Sequence, residues 1–213
     1  SNEEPCAEIS LGGKKDVDKA VSAAKKAFET WAFTKKEERL ELLEKLYVIY
    51  KKRWAEMAKL ISLEMGAPMK FSTEMQAATG ASHIKSFKNI LKDFKFEKDL
   101  GEEKNNQKLL YEPKGVCALI TPWNWPINQV NLKVIPALAS ACTVVLKPSE
   151  IAPLSSMLLA EMIDEAKFPA GVFNLVNGDG AITGDALTSH PDIDMISFTG
   201  STRAGALISQ NAA

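Results

Sequence analysis

A carboxamide and a lysine each stand where an apolar run ends. Asn124 lies inside "LITPWNWPINQV", Leu119 to Val130, between two tryptophans and two prolines. Prolines stiffen the backbone and restrict the residue before them, so this turn holds its side chains in one direction. An amide fixed there can donate N–H to an oxygen that gains negative charge, and losing such a donor typically costs ~10²–10³ in rate. The competing role is local: the Asn124 amide satisfying backbone groups of its own turn. Lys147 ends "TVVLKPS", and Glu150 follows three residues on. An acid just past a strand can accept hydrogen bonds from ribose hydroxyls, and the lysine can bond a hydroxyl or attract phosphate. A surface ion pair of little worth is the alternative.

Two further stretches suit phosphate or a flat base. Gly178, Gly180 and Gly184 read G-x-G-x-x-x-G. They either let a backbone approach a ligand or supply positive φ in a turn. "FTGSTRAG" places Gly200 at a strand end and Ser201 or Thr202 at a helix start. Free N–H groups there favour an anion, although an ordinary N-cap looks the same in sequence. No Gly-Lys-Ser/Thr follows, so this is not a P-loop. His83 and His190 lack metal-ligand spacing with the cysteines, and no metal site is expected. His83 reads as a helix-face residue, and Cys117 and Cys142 read as buried structural thiols.

These residues need a scaffold that brings them together. "VCALITP", "TVVLKPS", "VFNLVNG" and "DMISFTG" are short, β-branched apolar runs, and they alternate with helical stretches at 128–141, 154–166, 184–189 and from Ser201. That alternation predicts a parallel α/β sheet with helices on both faces. In such sheets ligands bind beyond the carboxyl ends of the strands, so the four tips form one candidate crevice.

The first half reads as helix. Val17, Ala20, Val21, Ala24, Ala27, Phe28 and Trp31 recur at helical spacing, with Asp16 as N-cap. Thr34 to Glu37 fits a capping box, and one stripe runs from Leu40 to Ile61, ended by Gly66 and Pro68. A helix is expected over 69–91 with Gly80 inside it. Phe94–Phe96 and Leu109–Tyr111 are expected as strands of a hairpin arm around an exposed loop, Asp99 to Gln107. The division that follows is 1–93 helical, 94–113 arm and 114–213 Rossmann-like core.

Composition narrows the partners. The 213 residues are 46% hydrophobic, with 26 basic against 27 acidic side chains. Neither a basic excess for nucleic acid nor a polybasic membrane patch is present. No apolar run approaches the roughly 20 residues of a membrane span. Three scattered cysteines do not make a disulfide framework, which suits the cytoplasm. Ser1 and Asn2 are read as a tag remnant and set aside.

"TPWNWP", "PALASACTVVLKPSE", "FPAGVFNLVNGDG" and "ISFTGSTRAG" together resemble the NAD(P)-dependent aldehyde dehydrogenase superfamily, of the hydrolytic type. "LGGKKDVDKAVSAAKKAFETW" is similar to that family's first long helix. The resemblance implies oxidation of an aldehyde to an acid with NAD, NADP being possible, in a homo-oligomer. It gives Asn124 the oxyanion amide, aimed at the carbonyl oxygen of a thiohemiacetal. It places Thr121 and Trp123 along the cofactor cleft, Lys147 and Glu150 at the adenosine ribose, and Gly180 and Gly184 beside the adenine, and it counts Pro122 and Ser149 among the cofactor-binding residues. Gly200 and Ser201 fall near the pyrophosphate, and Phe198 is a further cofactor-binding position. The family's nucleophilic cysteine and base glutamate lie downstream of "FTGSTRAG", and none of the three cysteines matches that nucleophile. The chain therefore reads as an amino-terminal portion, inactive alone and lacking the family's first strands. Exposed apolar surface near Met195 to Leu207 and self-association are expected. The other readings are a non-catalytic nucleotide-binding module and an acyl-CoA-forming semialdehyde or phosphate-reducing relative.

Overall fold

The computed structural model describes residues 4–101 and 107–212. Ser1 and Asn2, and most of the loop expected between Asp99 and Gln107, lie outside these residues. The first half is helical: α1 Lys14–Trp31, α2 Lys36–Lys52, α3 Trp54–Met65, α4 Met69–Phe71 and α5 Ala77–Asp93, with a π-helical turn Ser72–Gln76 joining the last two. None of the described helices is long and apolar enough to cross a membrane.

Three local expectations are corrected. Asp16 is not the N-cap of α1. That place belongs to extended Gly13, and the Asp16 carboxylate, three residues inside, accepts the Gly13 N–H at 3.0 Å. Lys14 and Lys15 are good helix formers, so the helix begins before the apolar pattern does. Thr34 does not cap α2. Its hydroxyl donates to the Trp31 carbonyl at 2.6 Å, satisfying the end of α1, and Lys35 takes the cap position without a side-chain bond. The stripe from Leu40 to Ile61 is not one helix. Arg53 leaves helical geometry (φ −96°, ψ 15°), and its guanidinium bonds Glu56 and Glu161 at 2.7–2.9 Å. Glu161 lies on a later helix, so a partner distant in sequence accompanies the break.

Other signals hold. Gly66 ends α3 with φ +73°, the left-handed region where a side chain is strained. Gly80 is a close-approach site: a Cβ there would lie 2.3 Å from the Tyr50 hydroxyl, which donates to the Ala77 carbonyl at 2.9 Å. The arm is a hairpin, β1 Glu97–Asp99 antiparallel to β2 Lys108–Leu110. It starts later than expected because the aromatics form its base. Phe94 packs edge-on against Phe96 and Tyr111, with centroids 4.8 and 5.2 Å away.

The second half is the parallel sheet: β3 Val116–Ile120, α6 Pro126–Ala139, β4 Thr143–Lys147, α7 Leu154–Glu165, β5 Phe173–Leu175, α8 Asp185–Thr188, β6 Met195–Phe198 and α9 Thr202–Asn211. Pro126 opens α6 two residues before the expected start; proline's fixed φ suits the first turn, where its missing N–H is no loss. A π-helical turn, Gly180–Gly184, leads into α8. All four strands run parallel in the order β5-β4-β3-β6.

Alternate residues of β3 feed two cores. Val116, Ala118 and Ile120 join Val17, Val21 and Leu187 beneath α1 and α8. Cys117 and Leu119 join α2, α3 and α5 to α7 on the other face. This is the double coverage that continuous apolar strands require. β6 is an edge among the described residues, and Met195 and Leu207 beside it are exposed.

A candidate cofactor cleft at the strand tips

The chain moves from β3 to β4 and β5 on one side, then returns to place β6 on the other. The strand order therefore reverses between β3 and β6, the switch point where open sheets leave a crevice. A cleft of about 490 Å³ lies there. It takes Ile120 from β3, Lys147 from β4, Phe198 from β6, Gly180 and Gly184 from the turn before α8, and Ser201 from the start of α9.

Lys147 is 3% exposed although it ends a strand. Its ammonium donates to the Pro148 carbonyl at 3.0 Å and faces the Glu150 carboxylate at 3.4 Å. Burial pushes its pKa down, while Glu150 and Asp179 pull the other way. Glu150 remains on the open rim, its side chain 43% exposed. The pair is thus neither a surface ion pair nor fully buried: one cation is held under the cleft and one carboxylate stands at its edge.

The glycines do not act through φ, because neither Gly180 nor Gly184 is among the positive-φ residues. A Cβ at Gly180 would meet nothing within 4 Å, and one at Gly184 would sit 3.8 Å from the Lys147 chain. Both keep the cleft wall free of side chains. Gly178 differs: a Cβ there would collide with the Thr183 hydroxyl at 1.9 Å, so it serves packing. Asp179 caps the following turn by accepting the Ile182 N–H at 2.6 Å.

Ser201 is an N-cap, accepting the Ala204 N–H at 3.2 Å, and it also lines the cleft. The Gly205 N–H bonds the Ser201 carbonyl. That leaves the Thr202 and Arg203 N–H groups without a partner among the described residues, at a helix end that favours negative charge. Gly200 lies against Phe198, whose ring would be 2.4 Å from a Cβ.

Asn124 is exposed and makes no hydrogen bond among the described residues. The local role, an amide spent on its own turn, is therefore not what this geometry displays. The turn is braced by Trp125, packed edge-on to Phe71 with centroids 5.4 Å apart. Thr121, Pro122, Trp123, Asn124, Ser149, Glu150 and Gly200 do not line the cleft but sit on the loops bordering it. The Thr121 N–H bonds the Lys147 carbonyl at 3.3 Å, and its buried hydroxyl has no partner. The Ser149 hydroxyl accepts the Ile151 N–H at 3.3 Å.

Sequence reading missed the third wall. Arg203, Ala204, Leu207, Ile208 and Asn211 of α9 face the cleft. Their spacing of three and four was the available signal, hidden by the helix's mixed composition. It also missed Lys133 of α6, which reaches across to the Ser197 hydroxyl of β6 at 2.8 Å and whose pKa burial pushes down.

A doubly covered parallel sheet with its cleft at the switch point defines a Rossmann-like α/β protein. The chain belongs to the aldehyde dehydrogenase family, whose model matches residues 1–213. It is 52% identical over 206 residues to the 3-succinoylsemialdehyde-pyridine dehydrogenase of a Pseudomonas species, covering 96% of this chain and 42% of that protein. Among solved structures, an aldehyde dehydrogenase of Bartonella henselae superposes with TM-score 0.95 at 61% identity, covering 99% of this chain and 44% of that one. A mutant of aldehyde dehydrogenase C of Pseudomonas syringae, solved with NAD+ and octanal, gives TM-score 0.95 at 47% identity, covering 99% and 42%. The chain thus spans less than half the length of these relatives.

Proposed function

We propose that this chain forms the cofactor-binding part of an NAD-dependent aldehyde dehydrogenase that oxidises an aldehyde to a carboxylic acid. The observation that carries the reading is the switch-point cleft, with a buried lysine beneath it and two free N–H groups at the start of α9. The residues present fit a dinucleotide. Lys147 bonds a ribose hydroxyl, Glu150 accepts from the ribose at the rim, and Gly180 and Gly184 admit the flat base. Ser201, Phe198 and Gly200 shape the approach of phosphate to the α9 N-terminus. NAD+, when bound, supplies the acceptor for the hydride leaving the substrate carbon. The rigid turn through Thr121, Pro122 and Trp123 holds Asn124 as a donor to the substrate oxygen. Its exposed, uncommitted amide supports this role, which costs no reorganisation at the moment of reaction.

Glu150 favours NAD over NADP, since its carboxylate repels a 2′-phosphate. The relatives differ in the aldehyde they are named for or solved with, so the substrate class stays at aldehyde. A homo-oligomer is proposed because β1 and β2 are exposed along their whole length, including Leu110 at 58%, and a lone two-stranded hairpin is marginal in water. Free, buried Cys117 and Cys142 support the cytoplasm.

Calorimetric titration of the chain with NAD+ tests the core of this reading. Saturable binding at or below about 1 mM is expected, weakened roughly tenfold by Lys147→Ala, about 1.4 kcal/mol. Absence of binding at that concentration would refute it. In an enzyme carrying this chain, Asn124→Ala is expected to cut turnover by ~10²–10³ while NAD+ affinity holds. Equal loss of both would remove the oxyanion role.

A further inference from the structure

Glu64 is an acid in the last turn of α3, where its own helix end disfavours negative charge. Its partner is another helix. The Leu154 N–H donates to Glu64 Oε2 at 2.5 Å, and the Ser155 N–H donates to both carboxylate oxygens at 3.3 Å. Leu154 and Ser155 open α7, whose N-cap Pro153 offers no side-chain bond. Glu64 therefore supplies the cap that α7 lacks, and its charge meets the favourable end of that helix. The other end of the same helix pair is held separately. Arg53, at the start of α3, bonds Glu161 at 2.7 Å and faces Glu165 at 4.0 Å, both in the second half of α7. α3 thus lies antiparallel to α7 and is pinned to it at both ends.

The Glu64 pin sits where the loop from β4 enters α7. That loop, residues 148–153, carries Ser149 and Glu150. At its start Lys147 is fixed in β4, and the Lys147 ammonium bonds the Pro148 carbonyl. Within it the Ser149 carbonyl accepts the Ala152 N–H at 3.2 Å, and the Ser149 hydroxyl accepts the Ile151 N–H at 3.3 Å. Ala152 and Pro153 are buried, while Glu150 and Ile151 are exposed.

We propose that Glu64 is a positioning residue for the cofactor: by capping α7 it fixes the far end of the 148–153 loop and so holds Glu150 at the cleft rim. This rests on the reading of Lys147 and Glu150 as the ribose-binding pair. Both Glu64 oxygens act as acceptors, so an amide in their place must turn its NH2 toward an N–H donor. Losing the carboxylate frees the start of α7, and Glu150 is no longer held beside Lys147. NAD+ must then order the loop on binding, which weakens affinity without removing any group that touches it.

The test compares Glu64→Gln with Arg53→Met in the full chain. Arg53→Met cuts the other pin of the same helix pair and is the control for general loosening. Both variants are expected to lower the urea midpoint. Only Glu64→Gln is expected to raise the calorimetric Kd for NAD+, by about tenfold, with Arg53→Met within about twofold of wild type. Hydrogen exchange without cofactor is expected to show the Leu154 and Ser155 amides protected in wild type and Arg53→Met. In Glu64→Gln they are released together with those of Ile151 and Ala152. Glu64→Asp, one methylene shorter with its charge kept, is expected to fall between wild type and Glu64→Gln, and it carries the comparison should Glu64→Gln not fold. Equal losses of NAD+ affinity in the Glu64 and Arg53 variants, or no loss in Glu64→Gln, would overturn the positioning role and leave the cofactor reading intact. Fast exchange of the wild-type Leu154 and Ser155 amides would overturn it without any variant. A wild-type chain that does not bind NAD+ would overturn the cofactor reading, and this inference with it.

Discussion

The two ends of the parallel sheet are made from the same kinds of residue and are finished in opposite ways. At the amino-terminal end several polar groups are paired within the protein, although the buried Thr143 hydroxyl has no partner among the described residues. The Trp31 indole bonds the Cys142 carbonyl, and the Arg39 guanidinium bonds the Ala139 carbonyl at 3.0 Å. The Asp194 carboxylate accepts the Val116 N–H at 2.8 Å. At the carboxyl-terminal end several groups are left uncommitted: the Asn124 amide, the Thr121 hydroxyl, and the N–H groups of Thr202 and Arg203. Of these only the Thr121 hydroxyl is buried, and a buried polar group without a partner costs stability, about 1–3 kcal/mol; Asn124, Thr202 and Arg203 are exposed. One end therefore holds the fold closed, and the other keeps donors available for a ligand. Substitutions should separate the two: amino-end changes should move stability, and carboxyl-end changes should move binding.

Gly115→Ala is the strongest test of that division. Gly115 has φ +127°, and a Cβ there would lie 2.0 Å from the Asp194 carboxylate. Strain and the lost Asp194–Val116 bond should together cost about 3 kcal/mol or more, read from urea unfolding. Trp31→Phe comes next. It leaves the Cys142 carbonyl unpaired in the core, and a loss of about 2 kcal/mol is expected by the same measurement. Unchanged stability in both would erase the contrast between the ends.

Lys147→Met sharpens the comparison through pH. Burial lowers the Lys147 pKa below its ordinary 10.5, so the folded chain holds that proton less tightly than the unfolded chain does. The sign follows: stability rises with pH between the lowered value and 10.5, and the penalty is fully present below that window. Unfolding curves across it should show the wild type gaining on Lys147→Met as pH rises, while NAD+ binding is weaker in the variant throughout. A constant difference would mean the lysine is not desolvated. Gly180→Ala should have the smallest effect on stability, a change of under about 1 kcal/mol on the stabilising side, because its Cβ meets nothing and its φ is ordinary. Its effect should appear in NAD+ affinity, as a methyl group placed at the cleft wall.

The strands were legible because burial on both faces leaves continuous β-branched runs that helices rarely share. All four expected runs contain the observed strands, and the α7 boundary differs by one residue. The caps were less legible. Asp16 and Thr34 are side chains that serve either end of a helix, and which N–H or C=O they meet depends on where the backbone turns. Arg53 carries no sign of a break in its own sequence; its partner Glu161 is more than a hundred positions away. The α9 wall went unread for a similar reason, since a helix face becomes a cleft wall only when a neighbouring strand is placed beside it.

Sequence alone determined the alternation of strand and helix, the stiff turn around Asn124, the lysine at the end of β4 and the family motifs. Each of these is set within a dozen neighbouring residues, by sterics and hydrophobic period. Only the tertiary structure decided the order β5-β4-β3-β6, and with it the switch point where Lys147, Gly180, Phe198 and Ser201 meet. Strand order follows from how the faces of α1, α6 and α7 bury against the sheet as a whole, and no local window contains that sum.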